Sequence, residues 1–547
     1  MHAVADWKHF GHHGDNGRRF SINRQINRSP GVPMTAPPLT ETPTVSKDSD
    51  DLSEFGYTEQ LHRSLGTFAS FAAGFSFVSI LTTIFQLFGL GFGLGGPAFF
   101  WTWPIVYGGQ FLVALCFAEM AARYPISGAI YQWSRRLGGE VVGWFGGWFM
   151  ILAQIVTASA AAIALQVVMP AIWTGFQLVG GDPSLTSTSG ATNAVILGSI
   201  LLTLTTVINC IGVRWMSRIN SIGVTCELVG VTAVILALFF HAKRGPDVVL
   251  HTGDIGHHGG YLGAFLVSGL MAAYVMVGFG SAGELAEETR NPRRVAPRTI
   301  RMALTASAIG GGLMLIAALM AAPKLGDELA TQGLPYVLNA VLGSFWGKVL
   351  LADVCVAIFI CTLAIQTACS RLMFSMARDH RLPAAALLSK VNDRTKTPLA
   401  PSILIGVLCI GVLLVNLGNA AIFATLASVC IVLIYLAYLA VTGPMLYQRL
   451  RGWKPDQTLT DADGKKLFGL GRFGIVVNAL AVLYGLAMVV NLAWPRPEIY
   501  NPTGNNPVLL WAGPLSIGAC ILLGILCFPH RKPHPMPVRT PLAIEGA

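Results

Sequence analysis

The sequence predicts an all-helical integral membrane protein with twelve transmembrane helices, and three observations support this fold class. Hydrophobic residues make up 53% and charged residues only 12% of the 547 residues, whereas a soluble domain is about 25% charged. Twelve apolar runs are long enough to cross a bilayer, which takes about 20 residues. Basic residues collect in alternate loops, as expected where loops alternate between the two sides of a membrane.

The twelve apolar runs are separated by shorter polar stretches that we predict to be loops. The runs are centred approximately on Ser79, Val106, Leu152, Leu201, Gly230, Ala272, Leu313, Ile360, Val407, Leu433, Val482 and Ile521. Because twelve is an even number, we expect both termini on the same side of the membrane.

Basic residues predict the orientation, because lysine and arginine resist translocation and mark the cytoplasmic loops. With the amino terminus inside, only five of the 37 basic residues fall outside: Lys243, Arg244, Lys324, Lys348 and Arg496. We therefore expect a multi-pass plasma-membrane protein with both termini in the cytoplasm. The net charge of +10 then belongs to an inner surface beside anionic lipid rather than to a nucleic-acid interface.

The two ends of the chain are polar. Residues 1–62 are proline-rich with an acidic run, which predicts a disordered cytoplasmic tail. Residues 531–547 are expected to form a second cytoplasmic tail, which leaves residues 63–530 as the membrane domain. Met34 begins a stretch that resembles a natural start, so translation from Met1 and from Met34 both remain open.

No pattern in the sequence predicts a metal, a cofactor or a reaction. The ten cysteines lie in apolar runs without a CxxC pair, and the twelve histidines lie in tails and loops, so neither set has metal-ligand spacing. The nucleotide-binding pattern GxxxxGK[ST] is missing from the sequence. We expect a protein that is not an enzyme and needs no metal or cofactor.

Two apolar runs are interrupted by glycine. The first contains Gly74-Phe75-Ser76-Phe77 and the sixth contains Gly278-Phe279-Gly280-Ser281. Paired interruptions in two halves of a membrane protein are typical of transporter binding sites. Unwound backbone at that depth persists only beside a polar cavity or within protein, so the pair predicts a cavity.

Three loop motifs resemble one known group of transporters. Residues 118–133 read AEMAARYPISGAIYQW, residues 286–298 read AEETRNPRRVAPR, and residues 370–379 read SRLMFSMARD. These motifs resemble those of the amino acid, polyamine and organocation (APC) superfamily. The last two are most similar to its amino acid/choline transporter branch, which includes 4-aminobutyrate and choline permeases. The resemblance covers about residues 60–530.

The resemblance implies a fold of two inverted five-helix repeats, at about residues 66–240 and 261–447. Peripheral helices 11 and 12 would follow at about residues 472–528. Helices 1 and 6, the first of each repeat, would be discontinuous at mid-membrane.

The ends of broken helices carry partial charges that suit a zwitterion, since free N–H groups favour a carboxylate and free carbonyls favour an ammonium group. We expect backbone contacts to the anionic group from Gly74, Phe75 and Ser76, and contacts around the amine from Gly278, Phe279 and Gly280. Phe279 is also a candidate gate. The alternative is that these glycines serve close helix packing.

Further polar residues are candidates for lining the cavity. They are Gln154, Thr157, Tyr435 and Tyr438, and the alternative for each is that it joins neighbouring helices. Several members of that superfamily carry an aspartate at the position of Gly280. Its absence here makes choline or another simple organic cation a weaker candidate for the solute.

Acidic residues within apolar runs need an explanation, because each costs about 2.5–3.5 kcal/mol at mid-helix on insertion scales. Glu227 is the leading candidate for proton coupling, and Glu284 is a second coupling candidate that would face the cavity near Gly280. A carboxyl group satisfied by neighbouring helices is the alternative for both. Asp353 and Glu119 are expected to be structural.

The resemblance also leaves sodium open, because related sodium-coupled transporters hold the ion with hydroxyls of span eight. Candidates there are Thr362, Gln366, Thr367 and Ser370. At the cytoplasmic end, Arg371 and Arg378 with Asp379 are expected to form salt bridges. Glu287, Glu288 and Arg293 are expected to pair with them when the inner gate is shut.

The sequence therefore predicts a secondary active transporter that moves an amino acid or a related amine such as 4-aminobutyrate by alternating access, coupled to protons. The alternatives are a permease for choline, polyamines or another organic cation, and an amino acid exchanger. A further alternative is a nutrient sensor that does not transport. No carbonyl filter or ring of like charge predicts an ion channel, and the oligomeric state stays open.

Overall fold

The computed structural model describes residues 52–528, except 62, 186, 254–259, 416, 418–421, 456–459, 461–463, 501–506 and 508, and except the side chains of 422–427. Both Met1 and Met34, most of the amino-terminal tail and the whole of the carboxy-terminal tail lie outside these residues. The described part of the chain is all-helical and contains no β-strand.

Six helices make up the first half of the described chain. They are α1 (Thr67–Val78), α2 (Ile80–Gly95), α3 (Thr102–Arg123), α4 (Ala129–Ile172), α5 (Thr188–Ile211) and α6 (Val213–Phe240). A short 3₁₀ helix at Pro97–Trp101 leads into α3.

Ten helices follow in the second half, four of them short or interrupted. They are α7 (Tyr261–Val275), α8 (Ser281–Glu284), α9 (Pro292–Ala321), α10 (Asp327–Arg378), α11 (Ala385–Leu388), α12 (Leu399–Leu414), α13 (Ile422–Leu450), α14 (Gly474–Ala493), α15 (Pro497–Tyr500) and α16 (Ala512–Leu526).

Nine helices in the described residues are long and apolar enough to cross a membrane, with α1 and α2 counted as one and α3 joined to its 3₁₀ turn. Three shorter apolar helices are α7, α12 and α16. Eleven of the predicted span centres fall within these helices, and the twelfth, Ser79, lies between α1 and α2. The number of spans and the inverted repeat stay predictions.

Helix α4 lies at the centre of the bundle, where it packs against α10 and α13. Gly139 interrupts α4 with a φ of 84°, and Gly333 and Gly343 interrupt α10 with φ values of 60° and 70°. Left-handed φ angles suit glycine because it has no β-carbon. These interruptions divide α4 and α10 into short first segments and long second segments, and the long segments form the core.

Candidate functional site

A break interrupts the chain between α7 and α8, at the position predicted from Gly278. Residues 276–280 are not helical, and Gly278 has a φ of 85°. A β-carbon at Gly278 would lie 1.8 Å from Cδ1 of Phe77, so this position requires glycine. The N–H of Gly278 donates to the hydroxyl of Tyr438 on α13 at 3.0 Å.

The first break lies at Ser79, between α1 and α2, and not at Gly74 as the sequence predicted. Ser79 has a φ of 33°, a left-handed conformation that is uncommon outside glycine. Its hydroxyl lies 2.7 Å from Oγ1 of Thr82 and donates to Oε1 of Glu227 at 2.8 Å. These contacts hold a strained residue at the point where the helix changes direction.

Gly74, Phe75 and Ser76 lie inside the last turns of α1, so their assignment to unwound backbone is wrong. A β-carbon at Gly74 would lie 3.3 Å from Thr299 of α9, which makes it a packing glycine. The ring of Phe75 stacks on Phe71. The hydroxyl of Ser76 donates to the carbonyl of Ala72 at 2.6 Å. Within the helix these residues have no free N–H group to offer an anion.

Glu227 faces the core because α6 has two distinct faces. Large side chains seven residues apart point outward, namely Trp215, Ile222, Val229 and Leu236. The opposite face carries the small or polar residues Asn220, Gly223, Glu227 and Gly230, all of them buried. This spacing of three and four residues places Glu227 on the buried side of an amphipathic helix.

The carboxylate of Glu227 lies at the amino-terminal end of α2. Besides Ser79, the N–H of Leu81 donates to its Oε1 at 3.4 Å, and helix amino termini favour negative charge. Its second oxygen, Oε2, has no partner in the described part of the chain. Asp353 of α10 lies one turn further along α6, since a β-carbon at Gly230 would lie 1.7 Å from its Oδ2.

Glu284 ends the short helix α8 and is fully buried. The amide of Gln154 on α4 donates to both of its carboxylate oxygens, at 3.1 and 3.2 Å. Arginine and lysine partners of Glu284 are not found in the described residues. The two candidates Gln154 and Glu284, predicted separately, therefore meet in one polar site.

Aromatic rings pack around the second break. The ring centroids of Phe117 and Tyr438 lie 5.0 Å apart, those of Phe279 and Tyr438 5.4 Å, and those of Phe117 and Phe279 5.9 Å. The β-carbon position of Gly280 faces Phe117 at 3.3 Å. We call Phe117, Phe279 and Tyr438 the aromatic cluster. Phe117 was not among the predicted residues, since nothing in an apolar run distinguishes it from packing residues.

Tyr435 and Thr157 form contacts that join helices or turns. The hydroxyl of Tyr435 lies 2.7 Å from that of Tyr484 on α14, and the hydroxyl of Thr157 donates to the carbonyl of Ala153 at 2.7 Å. Tyr435 therefore directs its polar atom toward a neighbouring helix. The helix-joining alternative describes Tyr435 in this conformation, whereas Thr157 bonds within its own helix.

The hydroxyls of the eighth apolar run are similarly engaged. Thr362 donates to the carbonyl of Ile358 at 2.8 Å, and Ser370 to that of Thr367 at 2.8 Å. Thr367 bonds Oδ1 of Asn209 at 2.6 Å, and the amide of Gln366 lies 3.3 Å from Thr206 on α5. Thr367 and Gln366 therefore stabilise the α5–α10 interface, whereas Thr362 and Ser370 bond within α10.

Two buried ion pairs join the end of α10 to the segment that follows α8. Nε of Arg371 donates to Oε1 of Glu288 at 2.9 Å, and both side chains are buried. Arg378 binds both oxygens of Glu287 at 2.8 and 2.9 Å, a bidentate geometry that strengthens such a pair. We call these four residues the inner gate pairs, after the role that the sequence predicts for them.

Asp379 and Arg293 do not join the inner gate pairs, which corrects the predicted partners. Asp379 pairs instead with Nη1 of Arg135 at 2.7 Å. Arg293 binds Glu54 at 2.6 Å. Arg135 was missed, although it stands two residues after the first loop motif. Glu119, predicted to be structural, pairs with Arg449 and accepts from the N–H of Leu470 at 3.1 Å.

The last part of the predicted tail lies among the described residues and packs against the membrane domain. Residues 52–61 are described, and Tyr57 among them is buried with its hydroxyl 3.0 Å from Oδ1 of Asp379. Burial, with the nearby Asp379 carboxylate, raises the pKa of Tyr57, so the phenol stays protonated and donates. The guanidinium of Arg378 lies 4.1 Å from the centroid of the Tyr57 ring. This segment therefore covers the inner gate pairs.

Comparison with known proteins agrees with this architecture. A sequence model described as amino acid permease matches residues 65–522. The amino-acid permease BAT1 homolog of Oryza sativa subsp. japonica is 28% identical over 506 residues, covering 86% of this chain and 91% of that protein.

Two further relatives carry other names. The thiamine transporter thi9 of Schizosaccharomyces pombe is 25% identical over 532 residues, covering 88% of this chain and 86% of its own length. The methylthioribose transporter of Bacillus subtilis is 28% identical over 411 residues, covering 71% and 84%. These relatives are permeases and transporters rather than enzymes, and the chain is a multi-pass membrane protein. With the family match spanning most of its length, the chain belongs to the amino acid permease family.

Proposed function

We propose that this protein is a proton-coupled secondary active transporter that moves an amino acid or a related amine such as 4-aminobutyrate. It would lie in the plasma membrane with twelve spans, two inverted repeats and both termini in the cytoplasm. The observation that carries the proposal is the pair of helix breaks, each with a buried carboxyl group beside it. Glu227 lies at the first break and Glu284 follows the second.

The second break provides groups of both signs for a zwitterion. The N–H groups of Val277 and Phe279 have no acceptor in the described part of the chain, and unpaired backbone donors at this depth are costly. They suit a solute carboxylate. Glu284, four residues beyond Gly280, suits the amine, and the aromatic cluster can pack against the solute's carbon chain.

Uptake into proteoliposomes tests the proposal. Labelled amino acids, 4-aminobutyrate, choline and polyamines are supplied one at a time, with and without proton and sodium gradients. We expect one amine-bearing solute to accumulate when a proton gradient is imposed. Failure of every amine-bearing solute to move under any gradient would contradict the transporter assignment. If uptake without an ion gradient into vesicles loaded with unlabelled solute equals uptake with a proton gradient, the protein is an exchanger.

Glu284→Gln is expected to raise the KM for the amine-bearing solute at least about tenfold, because a hydrogen bond to a charged group contributes about 1.5–3 kcal/mol. The glutamine keeps the size of the side chain and removes the charge. Initial uptake rates over a range of solute concentrations measure the change. Glu328→Gln, at an exposed carboxylate, is the matched control and should transport normally. An unchanged KM in Glu284→Gln would remove this residue from the site.

The first break favours the proton as the coupling ion. Glu227 has one oxygen engaged at the end of α2 and one without a described partner, and a bound proton would satisfy the latter. Asp353, half-buried beside Gly230, is placed to pass protons toward it. The hydroxyls proposed for sodium are already hydrogen-bonded within α10 and to α5, which favours the proton over sodium.

The inner gate pairs are proposed to hold the cytoplasmic end shut. Breaking a buried pair by removing one partner costs about 3–5 kcal/mol, because it leaves the other charge uncompensated. Arg371→Gln is therefore expected to slow uptake at least tenfold and to raise the reactivity of a cysteine placed at Ser370 toward a thiol reagent added from the cytoplasmic side. Arg290→Gln, at an exposed arginine in the loop motif that supplies Glu287 and Glu288, is the control. Unchanged uptake and labelling in Arg371→Gln would exclude the gate.

An organic cation is the second candidate solute. The aromatic cluster beside Glu284 resembles sites that bind ammonium groups over ring faces. One relative is named as a thiamine transporter, and thiamine carries a fixed positive charge. Saturable uptake of choline or thiamine, without uptake of any amino acid, would favour this candidate.

A further inference from the structure

A basic cavity lies at the beginning of α9, away from both helix breaks. Its volume is about 570 Å³, and its charged lining residues are Arg293, Arg294, Arg298, Arg301 and Lys466. None of the residues that line it is acidic. Residues 293–301 belong to the cytoplasmic end of the proposed topology, where anionic lipid headgroups are concentrated.

Like charges are stacked along one face of α9. Arg294, Arg298 and Arg301 follow one another at spacings of four and three residues, which places them on neighbouring turns. Arg298 and Arg301 form no ion pair with a carboxylate in the part of the chain that the structure describes. Nε of Arg298 lies 3.3 Å from the sulfur of Met302, a weak acceptor. Same-sign neighbours of this kind repel each other, so an anion in the cavity would stabilise the helix end.

The cavity also has an apolar side. Phe111 of α3 and Met302 of α9 also line it, and Met302 is 46% exposed. The guanidinium of Arg301 lies 4.2 Å from the centroid of the Phe468 ring, which holds it in place by a cation–π contact. A polar end with an apolar wall beside it matches an amphiphile better than a small soluble anion.

We propose that this cavity binds the phosphate headgroup of an anionic phospholipid. Arginine forks suit phosphate oxygens because they offer several N–H groups in one plane. Lys466, on the segment before α14, adds a further cation to the lining of the cavity. The acyl chains would extend along Phe111 and Met302 into the bilayer.

Native mass spectrometry of the purified full-length protein tests the site, with phosphatidylglycerol and phosphatidylcholine as probes. We expect the wild type to retain phosphatidylglycerol preferentially. A direct hydrogen bond to a charged phosphate contributes at least about 1.5 kcal/mol, or about tenfold, so Arg298→Gln with Arg301→Gln should weaken retention at least about tenfold. Lys466→Gln, at an exposed loop residue, should also weaken it and does not threaten folding.

The matched control is Arg214→Gln with Arg218→Gln. It removes the same charge from two exposed arginines at the beginning of α6, outside the cavity. We expect its retention of phosphatidylglycerol to equal that of the wild type. Equal loss in the control and the cavity variants would overturn the site and leave only general surface charge. Release of the lipid by millimolar inorganic phosphate would overturn the assignment to a lipid and assign the cavity to a soluble phosphate compound.

Discussion

Glu227→Gln is expected to abolish accumulation driven by a proton gradient, so that solute only equilibrates across the membrane. With one proton per solute, a gradient of one pH unit supports about a tenfold accumulation, and this ratio should fall to about one. The glutamine keeps the contacts to Ser79 and Leu81 but cannot change its charge. Uptake into proteoliposomes at imposed pH gradients measures the ratio.

The controls for Glu227→Gln separate loss of coupling from loss of folding. Exchange of labelled for unlabelled solute needs no net proton movement, so the variant should retain it. Cys226→Ser changes the neighbouring residue, which is exposed on the same helix, and should accumulate solute like the wild type. Full proton-driven accumulation by Glu227→Gln would show that coupling resides elsewhere.

Gly278→Ala is expected to lower transport by more than about a hundredfold, because its β-carbon would overlap the ring of Phe77 at 1.8 Å. Overpacking of this kind typically costs 1–3 kcal/mol or more, and the left-handed φ of 85° adds roughly 1–2 kcal/mol. Initial uptake rate and thermal stability in detergent measure the two effects.

Gly139→Ala is the matched control for the backbone alone. Gly139 has a φ of 84°, yet a β-carbon there would meet nothing within 4 Å. It should lose some stability and keep transport. Adding Phe77→Ala to Gly278→Ala removes the overlap and should restore part of the uptake. Wild-type transport by Gly278→Ala would mean that the break is held differently during the cycle.

Of the two helix breaks, the sequence predicted the second at its correct position and the first several residues away from it. The break at Gly278 was predictable because glycine is the residue that tolerates a left-handed φ angle. The structure adds a second reason, which is the close contact with Phe77. The first break was misplaced by several residues, because Gly74 serves packing while the kink falls on Ser79. Nothing local marks Ser79; its strained conformation is held in part by Glu227, which lies on another helix. A contact between such distant residues is not visible in a sequence read locally.

For the ion pairs, the sequence predicted most of the residues that take part but not all of the partners. The loop motifs brought Arg371, Arg378, Glu287 and Glu288 to attention, and the structure joins these four. It pairs Asp379 with Arg135 instead of with the arginines beside it in the chain. Charge type and proximity in sequence predict which residues form a cluster. Which acid meets which base depends on how α4 and α10 cross.

The inner gate pairs have a consequence for the membrane potential. Each pair joins one positive and one negative side chain, so the gate as a whole carries no net charge. A membrane potential of 100 mV changes the energy of a net elementary charge that crosses the membrane by about 2.3 kcal/mol. It exerts little net force on a group of side chains whose charges cancel. Under the proposed coupling, voltage would therefore act on a proton bound by Glu227 rather than on the inner gate pairs. Transport by Glu227→Gln should consequently lose its dependence on membrane potential together with its dependence on the pH gradient.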